Sequence, residues 1–292
     1  SMLRCMMTSP ADPGPCPPVT RAPCGYRDAP MARLIRLRPG AGAIDGRAVD
    51  ALVEAVDSGQ VVLMPTDTVY GLAATASRAG IESLARVKGR DAGKPVAVLV
   101  ATPGQGLALF DQPQQGLVRV AKAGWPGPLT LVAAAGAGAP TGMSSNGTIG
   151  VRCPDHELVR RLTERVGPIA VTSANPAGGE PLCDLRNWGE LAKVWPEARS
   201  IDCLVDGGPL PGTASTVVDG SAEPSGMPRL LRAGPIEFDR IVRWWVRVPE
   251  HSPWSGLRGG RGEALGMRGM GNDEFLEEAG GECRLPVGSG VL

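Results

Sequence analysis

Histidine is scarce in this chain of 292 residues, which contains only His156 and His251. Two histidines leave few side chains from which a histidine-based metal site or a Ser-His-Asp triad could be built. The seven cysteines form no Cys-x-x-Cys pair, and their odd number favours reduced thiols in a cytoplasmic protein over a secreted disulfide framework. No apolar run approaches the ~20 residues that a bilayer requires, so we expect no membrane-spanning segment.

An excess of charge of either sign is also missing, because 30 basic residues balance 30 acidic ones. This balance excludes the general polycation expected of a chromatin or bulk nucleic-acid binder. Any anion-binding site must therefore be local. Only four residues are lysines, and two of them, Lys88 and Lys94, lie six positions apart.

The two ends of the chain differ in composition from its middle. Residues 1–30 contain seven prolines and no apolar periodicity, which predicts a disordered leader. From 247 to 292 the chain becomes rich in glycine and arginine, which predicts a flexible tail. We therefore expect one folded domain over residues 31–246.

Within that domain, apolar residues alternate between helical and strand spacing. The spacing predicts helices around 49–56, 81–85, 117–121, 158–166, 185–195 and 238–245. Strands are predicted at 61–66, 95–100, 129–134, 148–153, 169–172, 201–205, 215–218 and 229–232. This close alternation indicates an α/β fold with a mixed sheet.

Polar clusters follow several of the predicted strands. The segment 65–72 reads Pro-Thr-Asp-Thr-Val-Tyr-Gly-Leu, and 88–95 reads Lys-Gly-Arg-Asp-Ala-Gly-Lys-Pro. Hydroxyls and carboxylates at such places cap helices or form turns, and cations complement a helix C-terminus. Three cations in a glycine-containing loop also suit a polyphosphate, so both interpretations stay open.

Two further features carry polar groups into apolar surroundings. Residues 172–179, Thr-Ser-Ala-Asn-Pro-Ala-Gly-Gly, offer side chains and backbone amides for anionic oxygens, or form a turn. Arg152 lies on a predicted strand between apolar neighbours. A buried arginine needs a partner, from the protein or from a substrate. Neither a P-loop nor a dinucleotide-binding glycine motif is present.

In this order, the clusters resemble the YrdC-like L-threonylcarbamoyladenylate synthases. The resemblance covers about residues 44–240 and rests on seven motifs: 66–72, Lys88 with Arg90, Pro-Gly-Pro-Leu-Thr at 126–130, Arg152, Ser173 with Asn175, 215–219 and Arg232. It implies an open, twisted sheet flanked by helices, whose concave face forms a positively charged cleft.

The activity implied by the resemblance is a nucleotidyltransferase reaction. L-threonine, bicarbonate or CO2, and ATP would give threonylcarbamoyl-AMP and pyrophosphate. The product would pass to a separate threonylcarbamoyl transferase that modifies tRNA. Mg2+ would accompany ATP and be held mainly by phosphates, with no protein metal site.

The resemblance also assigns roles to residues. Lys88 and Arg90 would be catalytic. The ATP-binding residues would be Arg90, Lys94, Ser173, Asn175 and Arg232, whereas Thr66, Arg152 and Ser215 would bind threonine. Tyr70 is as consistent with a packed wall as with a ligand contact.

Some positions depart from the family pattern. Asp91 and Lys94 stand where many relatives have other residues, and Leu99 is apolar where some longer members have a histidine. Two alternative functions stay open: a non-catalytic module that binds tRNA or double-stranded RNA in the same cleft, and a carbamoyl-adenylate chemistry related to hydrogenase maturation. The chain lacks the cysteine clusters expected of the second. The synthase itself is also compatible with weak binding of tRNA.

Overall fold

The computed structural model describes residues 33–37, 46–93, 96–221 and 226–246. The predicted leader, the predicted tail and Lys94 lie outside the described residues. Ten strands are present in the described part: β1 Arg33–Arg36, β2 Val62–Met64, β3 Gly71–Thr75, β4 Ala97–Leu99, β5 Leu129–Ala134, β6 Thr148–Arg152, β7 Ile169–Ser173, β8 Cys203–Asp206, β9 Thr216–Asp219 and β10 Arg229–Arg232.

Seven α-helices in the same ranges connect or flank these strands. They are α1 Gly46–Asp57, α2 Arg78–Lys88, α3 Pro103–Leu107, α4 Gln115–Gly124, α5 Glu157–Val166, α6 Trp188–Val194 and α7 Phe238–Val246. Within the described part of the chain, none of them has the length and apolarity needed to cross a membrane.

All ten strands form one sheet in the order β1-β8-β2-β3-β7-β4-β6-β5-β9-β10. Four neighbouring pairs are parallel, namely β1 with β8, β8 with β2, β4 with β6 and β5 with β9, and the other five are antiparallel. The predicted α/β fold with a mixed sheet and flanking helices is therefore confirmed.

Alternation of side chains along the strands divides the core into two layers. On β2, Val62 and Met64 pack with α1 and α5 on one face, whereas Leu63 belongs to the core on the opposite face, beneath α2, α4 and α7. This is the period of two that a strand with both faces buried requires.

The helices α1 and α5 cover only part of their sheet face. Leu99 and Val171 pack in the core beneath these two helices and also line a large cavity. The cavity therefore occupies the remainder of the same face, over β4, β6, β5, β9 and β10. This uncovered half of the sheet positions the site described below.

Four elements differ from the sequence prediction, and the first is strand β1, Arg33–Arg36, which was not predicted. Strand β3 was not predicted, because its sequence Gly-Leu-Ala-Ala-Thr has little intrinsic strand preference and is stabilised by pairing with both β2 and β7. The short helix α3, with its Thr102–Gln105 capping box, was also missed. The predicted helix at 185–195 is instead a 3-10 turn, Leu185–Asn187, followed by α6.

Candidate active site

The cavity has a volume of about 620 Å³, within the range of small-molecule sites. Its floor is formed by residues at alternate positions of adjacent strands, among them Gly71, Ala97, Thr130, Gly150, Val171 and Val217. Because several of these residues are small, the cavity is deep at this point. A Cβ at Gly71 would lie 2.9 Å from Cγ1 of Val171, so that position tolerates no side chain without a shift.

Thr66 lies on the cavity wall in the turn between β2 and β3. Its hydroxyl donates to the Val69 carbonyl at 2.7 Å and accepts from the backbone N–H groups of Thr68 and Val69 at 3.2 and 3.3 Å. The hydroxyl therefore closes the turn, as one interpretation of the sequence predicted. The same turn brings Thr68 to the wall.

Arg152 lies at the end of β6, with its guanidinium against this turn. Its Nε donates to the Gly127 carbonyl at 3.1 Å, its Nη1 donates to the Thr68 hydroxyl at 3.0 Å, and its Nη2 forms an ion pair with Asp67. Burial lowers the pKa of Arg152, and the negative charge of Asp67 opposes that shift. The protein partner that a buried arginine requires is thus Asp67.

Ser215 and Arg232 lie together on another part of the wall. The Ser215 hydroxyl is 2.9 Å from that of Thr130, and Arg232 donates to the Ser215 hydroxyl and carbonyl, both at 3.0 Å. The register of β10 against β9 shifts between Leu230 and Arg232. Because of this bulge, the consecutive residues Leu231 and Arg232 both line the cavity.

Lys88 lies behind Ser173 rather than on the wall itself. Its ammonium donates to the Ser173 carbonyl at 2.8 Å and to Asn175 Oδ1 at 2.7 Å. Burial, together with the charge of Arg90, lowers the pKa of Lys88 to about 8. Asn175 is also buried, and its amide donates to the carbonyls of Pro176 and Gly179. Of this group only Ser173 lines the cavity.

The Arg90 guanidinium makes fewer hydrogen bonds within the protein than the Arg152 guanidinium does. Helix α2 ends at Gly89, whose φ of 60° turns the chain so that Arg90 reaches the cavity wall. Among the described residues its one side-chain hydrogen bond is to the Thr172 hydroxyl at 3.5 Å, and its Nε is buried without a partner. Burial lowers the pKa of Arg90. Donors without acceptors in the protein are available to an anionic ligand.

The structure therefore brings six of the predicted site residues onto one wall: Thr66, Arg90, Arg152, Ser173, Ser215 and Arg232. Lys88 and Asn175 lie directly behind Ser173, and their ligand roles, like those of the six, stay predictions. Leu99 also lines the cavity. Tyr70 lines it as a packed wall, because its ring is buried and its hydroxyl donates to the Gly208 carbonyl at 2.8 Å.

Several wall residues were not singled out from the sequence as site residues. Ser145 and Asn146 reach the cavity from a two-residue turn at Asn146-Gly147, where φ is 50° and 75°. The dipeptide Asn-Gly was the available signal, since it favours such hairpin turns. The ion pair of Arg229 with Asp219, at 2.8 Å, also lines the cavity. Apart from the family resemblance at 215–219, nothing in the sequence indicated that Asp219 and Arg229 would form an ion pair at the site.

Comparison with known proteins identifies relatives over most of this domain. The family model for Sua5, YciO and YrdC proteins, described as "Telomere recombination", matches residues 54–234. A protein named putative threonylcarbamoyl-AMP synthase from Mycobacterium leprae is 36% identical over 207 residues, which are 70% of this chain and 90% of the relative. Human threonylcarbamoyl-AMP synthase is 33% identical over 222 residues, with 68% and 75% covered.

Solved structures agree with these matches. Sua5 of P. abyssi in complex with L-threonine is 30% identical with a TM-score of 0.62, and the match covers 73% of this chain and 60% of that one. This chain thus spans about 60% of the Sua5 structure. E. coli YciO has a TM-score of 0.63 at 22% identity, covering 72% of this chain and 100% of its own, which supports the fold alone.

Proposed function

Because the chain belongs to the Sua5/YciO/YrdC family, we propose that it is an L-threonylcarbamoyladenylate synthase. The observation that carries the proposal is the convergence on one cavity of residues that are far apart in sequence: Arg90, Arg152, Ser173, Ser215 and Arg232. Relatives named threonylcarbamoyl-AMP synthase at 33 to 36% identity support it.

The cavity acts as a positively charged cleft. Among the described residues, four arginines line it, Arg90, Arg152, Arg229 and Arg232, together with a single carboxylate, that of Asp219. Asp67 behind Arg152 and Lys88 behind Ser173 add one charge of each sign. The surplus of cations suits a triphosphate.

The amino acid occupies the end of the cavity near Arg152. There the guanidinium faces the threonine carboxylate, with Thr66, Thr68, Thr130 and Ser215 surrounding it. The phosphates of ATP extend from the Arg90 guanidinium toward Arg232, which donates to Ser215 and so lies next to the amino acid. Both guanidinium groups contact only neutral oxygens of the protein. The Ser173 and Asn175 region, with Lys88 behind it, contacts the nucleotide.

The reaction then proceeds in two steps. The neutral amine of threonine attacks CO2 and loses a proton, which gives a carbamate. A carbamate oxygen attacks the α-phosphorus of ATP, the bond to the β-phosphate oxygen breaks, and pyrophosphate leaves. Negative charge shifts toward the leaving phosphates, so cations that are already in place lower the barrier by positioning and electrostatic stabilisation.

Mg2+ enters with ATP and is held mainly by the phosphates. The described residues contain no cluster of three His, Cys, Asp or Glu side chains that could form a metal site. Asp219, the carboxylate that lines the wall in the described part of the chain, is already bonded to Arg229 and Ser221. The donor set therefore suits a metal bound by the nucleotide, which would neutralise phosphate charge.

The product is a mixed anhydride that serves as an activated carbamoyl donor. It would pass to a threonylcarbamoyl transferase that modifies tRNA in the cytoplasm, with at most weak binding of tRNA by this chain. The alternative of a non-catalytic RNA-binding module in the same cleft makes different predictions and is separated by the experiment below.

Pyrophosphate release from ATP is expected to require threonine and bicarbonate together, because the carbamate is the nucleophile. The measurement is a pyrophosphate assay with each component omitted in turn, combined with identification of the nucleotide product by mass spectrometry. Release that continues without threonine would contradict the proposal. Salt-sensitive tRNA binding without any pyrophosphate release would favour the RNA-binding module instead.

A further inference from the structure

Asp67 and Arg152 form a buried ion pair at one end of the cavity. Their side chains are only 12% and 8% exposed. Arg152 lines the cavity, whereas Asp67 does not. Asp67 has Arg152 as its hydrogen-bond partner, and its second oxygen, Oδ2, is buried without a partner among the described residues. The principal contact of this carboxylate is therefore with the guanidinium.

The pair fixes the direction in which Arg152 can bind a ligand. A guanidinium has five N–H donors in one plane, and each of its three nitrogens already has an acceptor in Gly127, Thr68 or Asp67. Two N–H groups are left. Because the plane is held on three sides, these two donors keep one orientation relative to the cavity.

The other arginines of the proposed reaction differ in this respect. Arg90 contacts the Thr172 hydroxyl, and Arg232 contacts the Ser215 hydroxyl and carbonyl. Neither makes an ion pair in the described part of the chain. Among the described residues, the cavity wall therefore has two guanidinium groups paired with carboxylates, those of Arg152 and Arg229, and two without a counter-charge, those of Arg90 and Arg232.

We infer that Asp67 is a positioning residue for the amino-acid substrate. Acting through Arg152, it holds the two remaining donors in the orientation that a single carboxylate requires, and it removes the surplus charge that would draw phosphate to this end. The inference rests on the proposed function and names a residue that determines threonine affinity without touching threonine. Asp67 should therefore affect threonine and leave ATP little changed.

The test uses Asp67→Asn, which has nearly the same shape but lacks the charge. Loss of the carboxylate charge releases the guanidinium from one of its three fixed contacts, so we expect the threonine KM to rise by at least about tenfold. The KM for ATP should change by less than about threefold. Threonine binding measured by titration calorimetry should weaken in parallel.

Asp219→Asn is the matched control, because it removes the same charge from an ion pair in the same cavity, but with Arg229 as the partner. It should not raise the threonine KM by a similar factor. In an Arg152→Ala background, Asp67→Asn should have no further effect on threonine. Asp67→Glu keeps the charge and should restore part of the lost affinity.

Three results would overturn the inference: an unchanged threonine KM in Asp67→Asn, an equal rise in Asp219→Asn, or an independent effect in the Arg152→Ala background. If Asp67→Asn does not fold, Asp67→Glu still decides, because a shifted carboxylate must raise the threonine KM more than the ATP KM. Failure of the proposed function is distinguishable, since the wild-type protein would then form no threonylcarbamoyl-AMP.

Discussion

At the scale of single residues, the site depends on which polar groups already have hydrogen-bond partners within the protein. Thr66, Asn175 and Arg152 direct most of their hydrogen bonds inward. Arg90 keeps donors free of protein acceptors. Residues with the same predicted role thus divide into those that build the wall and those that are free to bind a ligand.

The sequence was informative about Arg152 but could not identify its partner. An arginine between apolar strand residues requires a counter-group. Asp67, however, lies 85 positions away, and only the sheet order brings the two together. The position of Lys88 behind Ser173 could not be predicted either, because its contacts with the Ser173 carbonyl and Asn175 depend on packing between α2 and β7. Its catalytic role stays a prediction.

The lowered pKa of Lys88 leads to a pH prediction. Folding shifts this pKa from 10.5 to about 8, so the ammonium is charged at pH 7 and loses its charge as the pH rises through 8. One positive charge behind Ser173 then disappears. We expect the affinity for ATP to fall by about tenfold between pH 7 and pH 9.

The measurement is ATP binding at pH 7, 8 and 9 in the wild type and in Lys88→Met. The variant should bind weakly at every pH and show a flat profile over this range. An equal pH dependence in both proteins would mean that another group is responsible. The stability of the fold should change in the opposite sense, because the unfolded lysine keeps its proton to higher pH and folding of the neutral form becomes easier.

At the scale of secondary-structure elements, regular apolar periodicity was a reliable guide. The strands at 129–134 and 229–232 have the bounds that the spacing predicts. Strand β3 was missed because the same segment carries a polar motif at its start and small residues afterwards. Its strand conformation comes from two antiparallel neighbours rather than from its own composition.

The end of α2 makes a second prediction. Gly89 has φ 60° and ψ 39°, the left-handed conformation that stops the helix and directs Arg90 to the cavity. Gly89→Ala should lower the free energy of unfolding by about 1 to 2 kcal/mol and raise the KM for ATP. The measurements are chemical denaturation and steady-state kinetics.

Gly59→Ala supplies the control. Gly59 follows α1 with φ 77° and has open space around its Cβ position, so the conformational cost is similar but Arg90 is not displaced. We expect equal destabilisation with an unchanged KM for ATP. A rise of the KM in both variants would show that general loss of stability, and not the position of Arg90, is the cause.

At the scale of the whole molecule, the site exists because the ten-stranded sheet is wider than the two helices that cover one of its faces. The sequence predicted the mixed sheet, yet it gave no basis for the strand order. That order is set by long-range pairing, which local periodicity does not encode. The location of the cavity on the α1 and α5 face could therefore not be predicted.

The small residues at the floor of the cavity lead to a further prediction. Gly150 lies on β6, and a Cβ there would meet Cγ2 of Val132 at 3.6 Å and Cγ2 of Thr130 at 3.8 Å, which are ordinary contacts. Gly150→Val should thus fold normally, with a favourable strand residue. Its side chain should fill space that the substrates need and lower kcat/KM by at least about tenfold.

Thermal denaturation and kinetics of Gly150→Val and Gly150→Ala check this expectation. The smaller alanine should give an intermediate loss of activity, and neither variant should melt at a much lower temperature than the wild type. Full activity in the valine variant would mean that the substrates do not reach the floor between β5 and β6.

The wall of the cavity draws on both early and late parts of the domain, from Thr66 before β3 to Arg232 at the end of β10. During synthesis on the ribosome, the last guanidinium emerges after nearly all of the other contributors. A nascent chain that has been synthesised only as far as β9 therefore lacks Arg232, one of the two arginines proposed to bind the phosphates. Activity should appear in one step once β10 has joined the sheet, and not gradually as the polypeptide lengthens.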